Sequence, residues 1–589
     1  MDIRKLHLGN SPAGTPITLS GADRLTHSYI VGASGTGKSK SMEWRMRGDL
    51  RNDQGFCLLD PHGTLYDAVA DYAAHHVLDR EIILLNVSKP DAVIGFNPFR
   101  KASGGDISVQ VDRRLSSTLH AWGVANADAT PTLERTLRLV YTVMLECGLG
   151  LPQASHLIDF NSGEIRRHLI EELHAPLIQR EWRELQNLRA KEWRDETLSA
   201  KNRLFRLLTS TALSRFMGLP ERSIDLQGIM DQGKVLLVNL APSDQLSHEN
   251  ARVFGALLIN EFFECAKRRE KLPNGCDPVP YYLYMDEFGD FVSLDSAKML
   301  DEVRKFGLFT VLAHQRFGQL DENMIDAVLT NCKIKAVFGG LPYESARLMA
   351  QELFVGDLDP MRKKLVIEQT KFWPTYARDK VYSSAAGYSE ASATGRSSII
   401  GNSAGTTSGQ SFDPGDGFRG PTQVGLSSVA SEGTSTAEGI SKSQATTKSE
   451  SEAVADIPIF IPRPFRELSS VQYYSLEEQL MALTAALKEQ PARHSFVKIA
   501  QQSARPMVVP DVRDFYTTRA NKQWYFDKQM SKQDALPPDQ IDLLLKNQER
   551  ILVESATPQT KQEPPASRTR NPRGSARSPL FAKIKEPTR

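Results

Sequence analysis

The sequence predicts an α/β chain in which a parallel sheet is interrupted by a block of helices. Three observations carry this. Short continuous apolar runs that end in a polar residue recur on both sides of residues 101–226, as strands buried on both faces require. A complete G-x-x-x-x-G-K-[ST] loop, Gly32-Ala33-Ser34-Gly35-Thr36-Gly37-Lys38-Ser39, stands directly after one such run. Between the two sets of runs, 101–226 shows helical periods and no convincing strand.

Taken in order, His27 to Val31 is the strand that leads into the loop, and Lys40 to Leu50 continues from it as a helix. Gly55 to Asp60 is a second strand with an acidic last residue, followed by the turn Pro61-His62-Gly63 and a crossover helix from Leu65 to Leu78. Glu81 to Asn86 is a third, and the turn-rich Gly95 to Phe99 closes this segment, 1–100. In the helical domain, 101–226, one helix starts at Thr130-Pro131 and another at Ser162-Gly163-Glu164. No acidic residue lies between Glu196 and Glu221, so Lys201, Arg203, Arg206 and Arg215 are read as either a basic face or a plain solvated one.

The sheet resumes in a second segment, 227–382. Its strands are Lys234 to Leu240, Tyr281 to Glu287, Leu308 to Gln315 and Ile334 to Phe338, with an amphipathic helix from Asn250 to Lys271. Residues 383–452 are so rich in Ser, Thr and Gly that too little apolar area exists to offset ordering entropy, and a flexible insert is expected. An ordered segment, 453–550, follows. Its capping box Ser475-Leu476-Glu477-Glu478 opens a helix with Leu476, Leu480, Leu483 and Leu487 as a core stripe. The last stretch, 551–589, is Pro-, Ser- and Arg-rich and is expected to be a disordered basic tail.

Composition sets limits on this reading. At 589 residues the chain is too long for one ordinary core. Its net charge of +1 gives no global argument for nucleic acid, so any such argument is local. The cysteines, Cys57, Cys147, Cys265, Cys276 and Cys332, are scattered without C-x-x-C spacing, which argues for a reducing compartment. The start of the chain lacks the apolar core of a signal peptide, and no run approaches a membrane span, so a soluble, cytoplasmic protein is expected.

The chemistry follows from the loop. Glycines let successive N–H groups turn toward a phosphate chain, and the following helix adds its positive end. Lys38 is placed to reach the β and γ phosphates and Ser39 to offer a hydroxyl to Mg²⁺, which makes ATP and magnesium the expected ligands. Hydrolysis needs an acidic element after an apolar strand, and Asp286-Glu287 has that form, with Asp286 in the metal shell and Glu287 as the base. Gln315 ends the neighbouring strand beside the γ phosphate, and Arg304 is a candidate to neutralise charge in an adjoining subunit, against the competing account of a surface salt bridge. Asp60 and His62 lack a third metal ligand at useful spacing. Asp60 is expected instead to support the loop or the magnesium waters.

The motif order resembles the conjugative coupling ATPases of type IV secretion, within the wider FtsK/HerA-type DNA translocases. The motifs are Arg24 with His27 to Gly32, the loop, Leu59-Asp60-Pro61-His62-Gly63, Gly95-Phe96-Asn97-Pro98, Val238-Asn239-Leu240, Met285-Asp286-Glu287-Phe288, Val303 to Leu308, Ala313-His314-Gln315 and Leu329-Thr330-Asn331. The resemblance covers roughly 24–365 and, weakly, 457–500. It implies a RecA-like hexameric motor that moves DNA, with the helical domain facing a relaxase or the substrate entry and secretion-channel proteins as partners. It also implies that Lys38, Ser39, Asp286 and Glu287 form the site, that Arg304 acts in trans and that Gln315 is the third-motif glutamine. Many coupling ATPases begin with membrane-spanning helices and this sequence does not, so docking at the inner membrane through a partner stays open. Two other readings also stay open: a secretion ATPase for protein export or pilus assembly that touches no DNA, and a nucleotide-dependent assembly platform.

Overall fold

The structure is a computed structural model that describes residues 5–100, 106–124, 130–271, 277–291, 300–315, 317–391, 401–410, 424–433, 445–515 and 517–557. It divides into two units, Met1–Pro360 with Tyr474–Arg589, and Met361–Tyr473.

In the first unit all seven strands read from the sequence form: β3 (His27–Val31), β4 (Phe56–Asp60), β5 (Ile82–Asn86), β6 (Val235–Asn239), β7 (Tyr281–Met285), β8 (Leu308–His314) and β9 (Cys332–Phe338). They lie in the order β9-β3-β8-β7-β4-β6-β5, every neighbouring pair parallel. This is the RecA-like P-loop α/β arrangement. The strand bearing Asp286-Glu287 is separated from the loop strand by one strand only, β8. Successive residues serve opposite faces: Tyr29, Cys57, Leu59, Leu283 and Met285 enter one core cluster, and Ile30, Phe56, Leu58, Tyr282 and Tyr284 the other. Each fully buried Leu, Ile, Val or Phe in these clusters contributes about 1.5–3 kcal/mol. The second face is covered by helices Lys38–Arg51 and Thr64–His75. The first is covered by helix His248–Arg268 and, through it, by the helical block.

Between 106 and 226 the described residues form helices joined by turns, including Pro131–Cys147 with its proline in the first turn and Gly163–Glu171. In the basic stretch there, two cations meet acids and a third lies over a ring. Arg215 makes two 2.8 Å bonds to Asp542, Arg206 lies 2.6 Å from Glu249, and Arg203 lies over the Trp122 ring.

Four further strands of this sheet were not read from the sequence. β1 (Leu6–Asn10), β2 (Pro16–Leu19), β14 (His494–Ile499) and β15 (Arg505–Val508) extend the sheet antiparallel beyond β9, in the order β2-β1-β15-β14. They are short strands of four to six residues, and in β14 the fully buried positions, Ser495, Val497 and Ile499, simply alternate with partly buried ones. Such brief alternation gives little periodic signal. The helix at the capping box is Leu476–Lys488, with both reciprocal bonds made. Its stripe is narrower than expected: Leu480 and Leu487 are buried and Leu483 packs beside them, whereas Leu476 is exposed. Helix Pro538–Ala556 runs past 551, so order extends beyond the expected start of the tail. The remainder of the tail lies outside the described residues.

The second unit holds two long strands, β10 (Lys363–Ala391) and β13 (Ala445–Tyr473), paired antiparallel, and a second pair, β11 (Gly401–Gln410) with β12 (Val424–Gly433). The unit begins at Met361 and ends at Tyr473, so 361–382 belongs with this ribbon rather than with the sheet. Much of the expected flexible insert, 383–452, lies outside the described residues. Where its backbone is described, at 383–391, 401–410, 424–433 and 445–452, it is extended. The ribbon's prolines obey its hydrogen bonding. Pro374 lies directly opposite Pro462, a pairing possible only where neither N–H is needed, and Pro458 and Pro464 fall in the same phase.

Candidate active site

The loop Gly32–Gly37 leaves β3 and turns into helix Lys38–Arg51, which begins at Lys38 itself. Gly37 adopts φ of 108°, a conformation that excludes a side chain, and Thr36 Oγ1 donates to Ala33 O at 2.7 Å inside the loop. Lys38 Nζ folds over the loop and donates to Gly32 O at 2.7 Å and Ala33 O at 3.1 Å. Burial pulls the Lys38 ammonium below its ordinary value, opposed by the nearby Glu287 and Asp286.

Asp286 and Glu287 follow β7 at the same end of the sheet. Ser39 Oγ donates to Asp286 Oδ2 at 3.3 Å, and Glu287 N–H donates to Asp286 Oδ1 at 3.1 Å. Burial, followed by the charges of Glu287 and Asp60, pushes the Asp286 carboxyl up to about 6. Glu287 is buried and takes φ of 46°, a left-handed conformation unusual for a residue with a side chain. Such backbone costs on the order of 1 kcal/mol or more and is held here by the packed end of β7. A serine hydroxyl and carboxylate oxygens are the hard donors magnesium prefers, and the crowding of Asp286, Glu287 and Asp60 is a repulsion that a divalent cation would relieve. The residues present fit that ion.

Gln315 follows His314, whose Cα pairs with Val31, so Gln315 stands level with Gly32 at the start of the loop. Arg304 does not join this group. It precedes β8, is exposed, and donates from Nε to Leu25 O at 2.9 Å, just before β3. The length of a five-residue strand, roughly 15 Å, separates it from the loop of its own chain.

Asp60 has a task that the sequence reading did not give it. Its two oxygens accept from His62 N–H at 2.9 Å and Tyr66 N–H at 2.8 Å, so it fixes the turn into helix Thr64–His75 and reaches the site only as a charge near Asp286. Among the described residues no group of three or more His, Cys, Asp or Glu side chains could hold a metal by itself.

The sequence reading missed His314. Wholly buried among Tyr29, Phe288 and Phe317, its imidazole is pushed down to about 3 by burial and then by Lys38, so it stays neutral beside the ammonium. Its place before Gln315 was the only available signal. Also missed was the turn Gly339-Gly340 after β9, whose Gly339 O accepts from Ala33 N–H at 3.0 Å. The Gly-Gly pair after an apolar run was a legible cue.

No known family profile matches the chain, and no curated protein is significantly similar to it. Among solved structures it is similar to conjugative coupling proteins. The unbound monoclinic form of the bacterial conjugative coupling protein TrwBdeltaN70 is 14% identical over 87% of this chain and 95% of its own, with a TM-score of 0.44. Plasmid coupling protein TrwB in complex with ADP and Mg²⁺ is 14% identical over 88% and 96%, with a TM-score of 0.45. VirB4 of Thermoanaerobacter pseudethanolicus is 11% identical over 59% and 87%, with a TM-score of 0.40. Among the described residues no helix is long and apolar enough to cross a membrane.

Proposed function

We propose that the chain is a magnesium-dependent ATPase that drives DNA as a ring, in conjugative transfer or a related type IV secretion process. The observation that carries the nucleotide chemistry is the hydrogen bond from Ser39 to Asp286, with Lys38 and Glu287 beside it. Lys38 offers its ammonium to the β and γ phosphates. Ser39 and Asp286 would hold magnesium, which would supply charge neutralisation at the phosphates. Glu287 takes the proton of the attacking water, and its left-handed backbone fixes where the carboxylate points. Gln315 offers an amide at the level of the loop. Arg304, at the opposite end of the strands, serves the site of an adjoining copy, a contribution worth on the order of 10³–10⁵ in rate.

The step from ATPase to DNA motor rests on the order of motifs rather than on the site. A grip on phosphate backbone is largely sequence-independent and weakens steeply with salt. The test is the ATPase rate with and without DNA across a salt series, with mass measurement of the assembly. Stimulation at low salt that fades as salt rises supports the motor. Hydrolysis that DNA neither stimulates nor accompanies with binding at low salt removes it and leaves an ATPase with another substrate.

A further inference from the structure

The phosphate loop is gripped from outside the motif by the carboxyl-terminal part of the chain. Arg493 N–H donates to Thr36 O at 2.8 Å. A Cβ on Gly37 would lie 3.1 Å from both the Cα and the N of Arg493, so this turn packs tightly against the loop backbone. Arg493 has φ of 69°, a left-handed conformation for a residue that is not glycine.

Its side chain shows what holds it there. Nε and Nη2 donate to Val509 O at 3.1 and 3.0 Å, Nη1 lies 3.4 Å from Asp511 Oδ1, and Val509 N–H returns a bond to Arg493 O at 2.8 Å. From Val509 the chain runs along the helix that begins at Lys38. Asp514 Oδ1 lies 2.9 Å from Lys40 Nζ, and Arg513 O accepts from Arg47 Nη1 at 2.9 Å. Two points on the loop backbone and two on its helix are therefore tied to one continuous stretch, 493–514.

We infer that Arg493 is a positioning residue that holds Thr36 and Gly37 in the shape that accepts phosphate, and that 493–514 is a strap through which nucleotide occupancy is felt by β14 and β15. This deepens the nucleotide reading above and rests on it. The backbone N–H of Arg493 fixes one carbonyl of the loop, and its guanidinium locks the turn to β15. Cutting the guanidinium loosens the loop without touching any group that meets the reacting atoms.

The test compares Arg493→Ala and Arg493→Gly with the parent and with Lys38→Ala, using a fluorescent ADP as probe. Arg493→Ala is expected to raise the dissociation constant and the KM for ATP by about tenfold with kcat within about twofold, as for a displaced positioning group. Both variants keep the N–H, but glycine suits the left-handed backbone, so its loss is smaller, about threefold. In hydrogen exchange, nucleotide slows the parent's 494–508 strands but not those of Arg493→Ala. Affinity within twofold of the parent in both variants, with only a lower Tm, overturns the strap. If the parent itself binds no nucleotide, the functional reading fails instead. Exchange at 32–38 without nucleotide then decides the strap: unchanged in Arg493→Ala, it is refuted; faster, it stands.

Discussion

At the carboxyl end of helix Lys38–Arg51, the wholly buried Asp49 is paired with Arg24 and accepts from Tyr284 Oη at 2.7 Å. At the amino end of the same helix, Lys38 and Ser39 face Asp286 and Glu287, two adjacent buried carboxylates with a third, Asp60, nearby. Burial raises the acid in both places. The next influence differs. For Asp49 it is the opposite charge of Arg24, which works against the rise, and for Asp286 it is the like charge of Glu287, which adds to it. A buried charge that serves the fold is neutralised where it stands, whereas one that serves chemistry is left in a state that a ligand resolves.

The widest separation of the two ends is expected in activity. Glu287→Gln should lower kcat by about 10²–10⁴ with nucleotide binding retained, and Lys38→Ala should abolish binding, both read by single-turnover hydrolysis. Asp49→Ala should instead remove the carboxylate that neutralises the buried Arg24 and lower stability by about 3–5 kcal/mol in urea unfolding. A catalytic loss from Asp49→Ala in protein that remains folded would break the contrast.

Asp286→Asn sharpens it. With the folded carboxyl at about 6, above its ordinary 3.8, the stability tied to its proton is full below about pH 3.8 and lost as pH rises through about 6. The asparagine variant, free of nucleotide, should therefore gain about 3 kcal/mol at pH 8, and the gain should vanish near pH 4. No gain at pH 8 would mean that neither burial nor like charge penalises the carboxylate at the acidic end. The smallest effect is at two neighbouring tyrosines. Tyr284→Phe removes a donor to Asp49 and should cost about 1 kcal/mol, whereas Tyr282→Phe removes a buried hydroxyl with no partner and should cost roughly nothing.

Much of the acidic end was legible beforehand. Lys38, Ser39, Asp286 and Glu287 announce themselves because a phosphate loop and a strand-end acid pair are local patterns, set by the chemistry of a few adjacent residues. The neutralised end was not. Arg24, Asp49 and Tyr284 come from three separate stretches, and nothing in any one of them names the others. Asp60 was read as support for the loop because a strand-end acid looks the same whether it faces a ligand or caps its own turn, and only its bonds to His62 and Tyr66 tell them apart.

The sequence by itself determined the seven parallel strands, since residues buried on both faces must be apolar without a break, and it determined the loop and its acids. Tertiary structure alone decided the order of those strands, the edge β14-β15-β1-β2, the placing of Arg304 away from its own loop, and the grip of Arg493 on Thr36. The physical reason is distance along the chain. Each depends on a contact between stretches far apart in sequence, whose free energy is gained only after folding brings them together and which leaves no periodic mark on either partner.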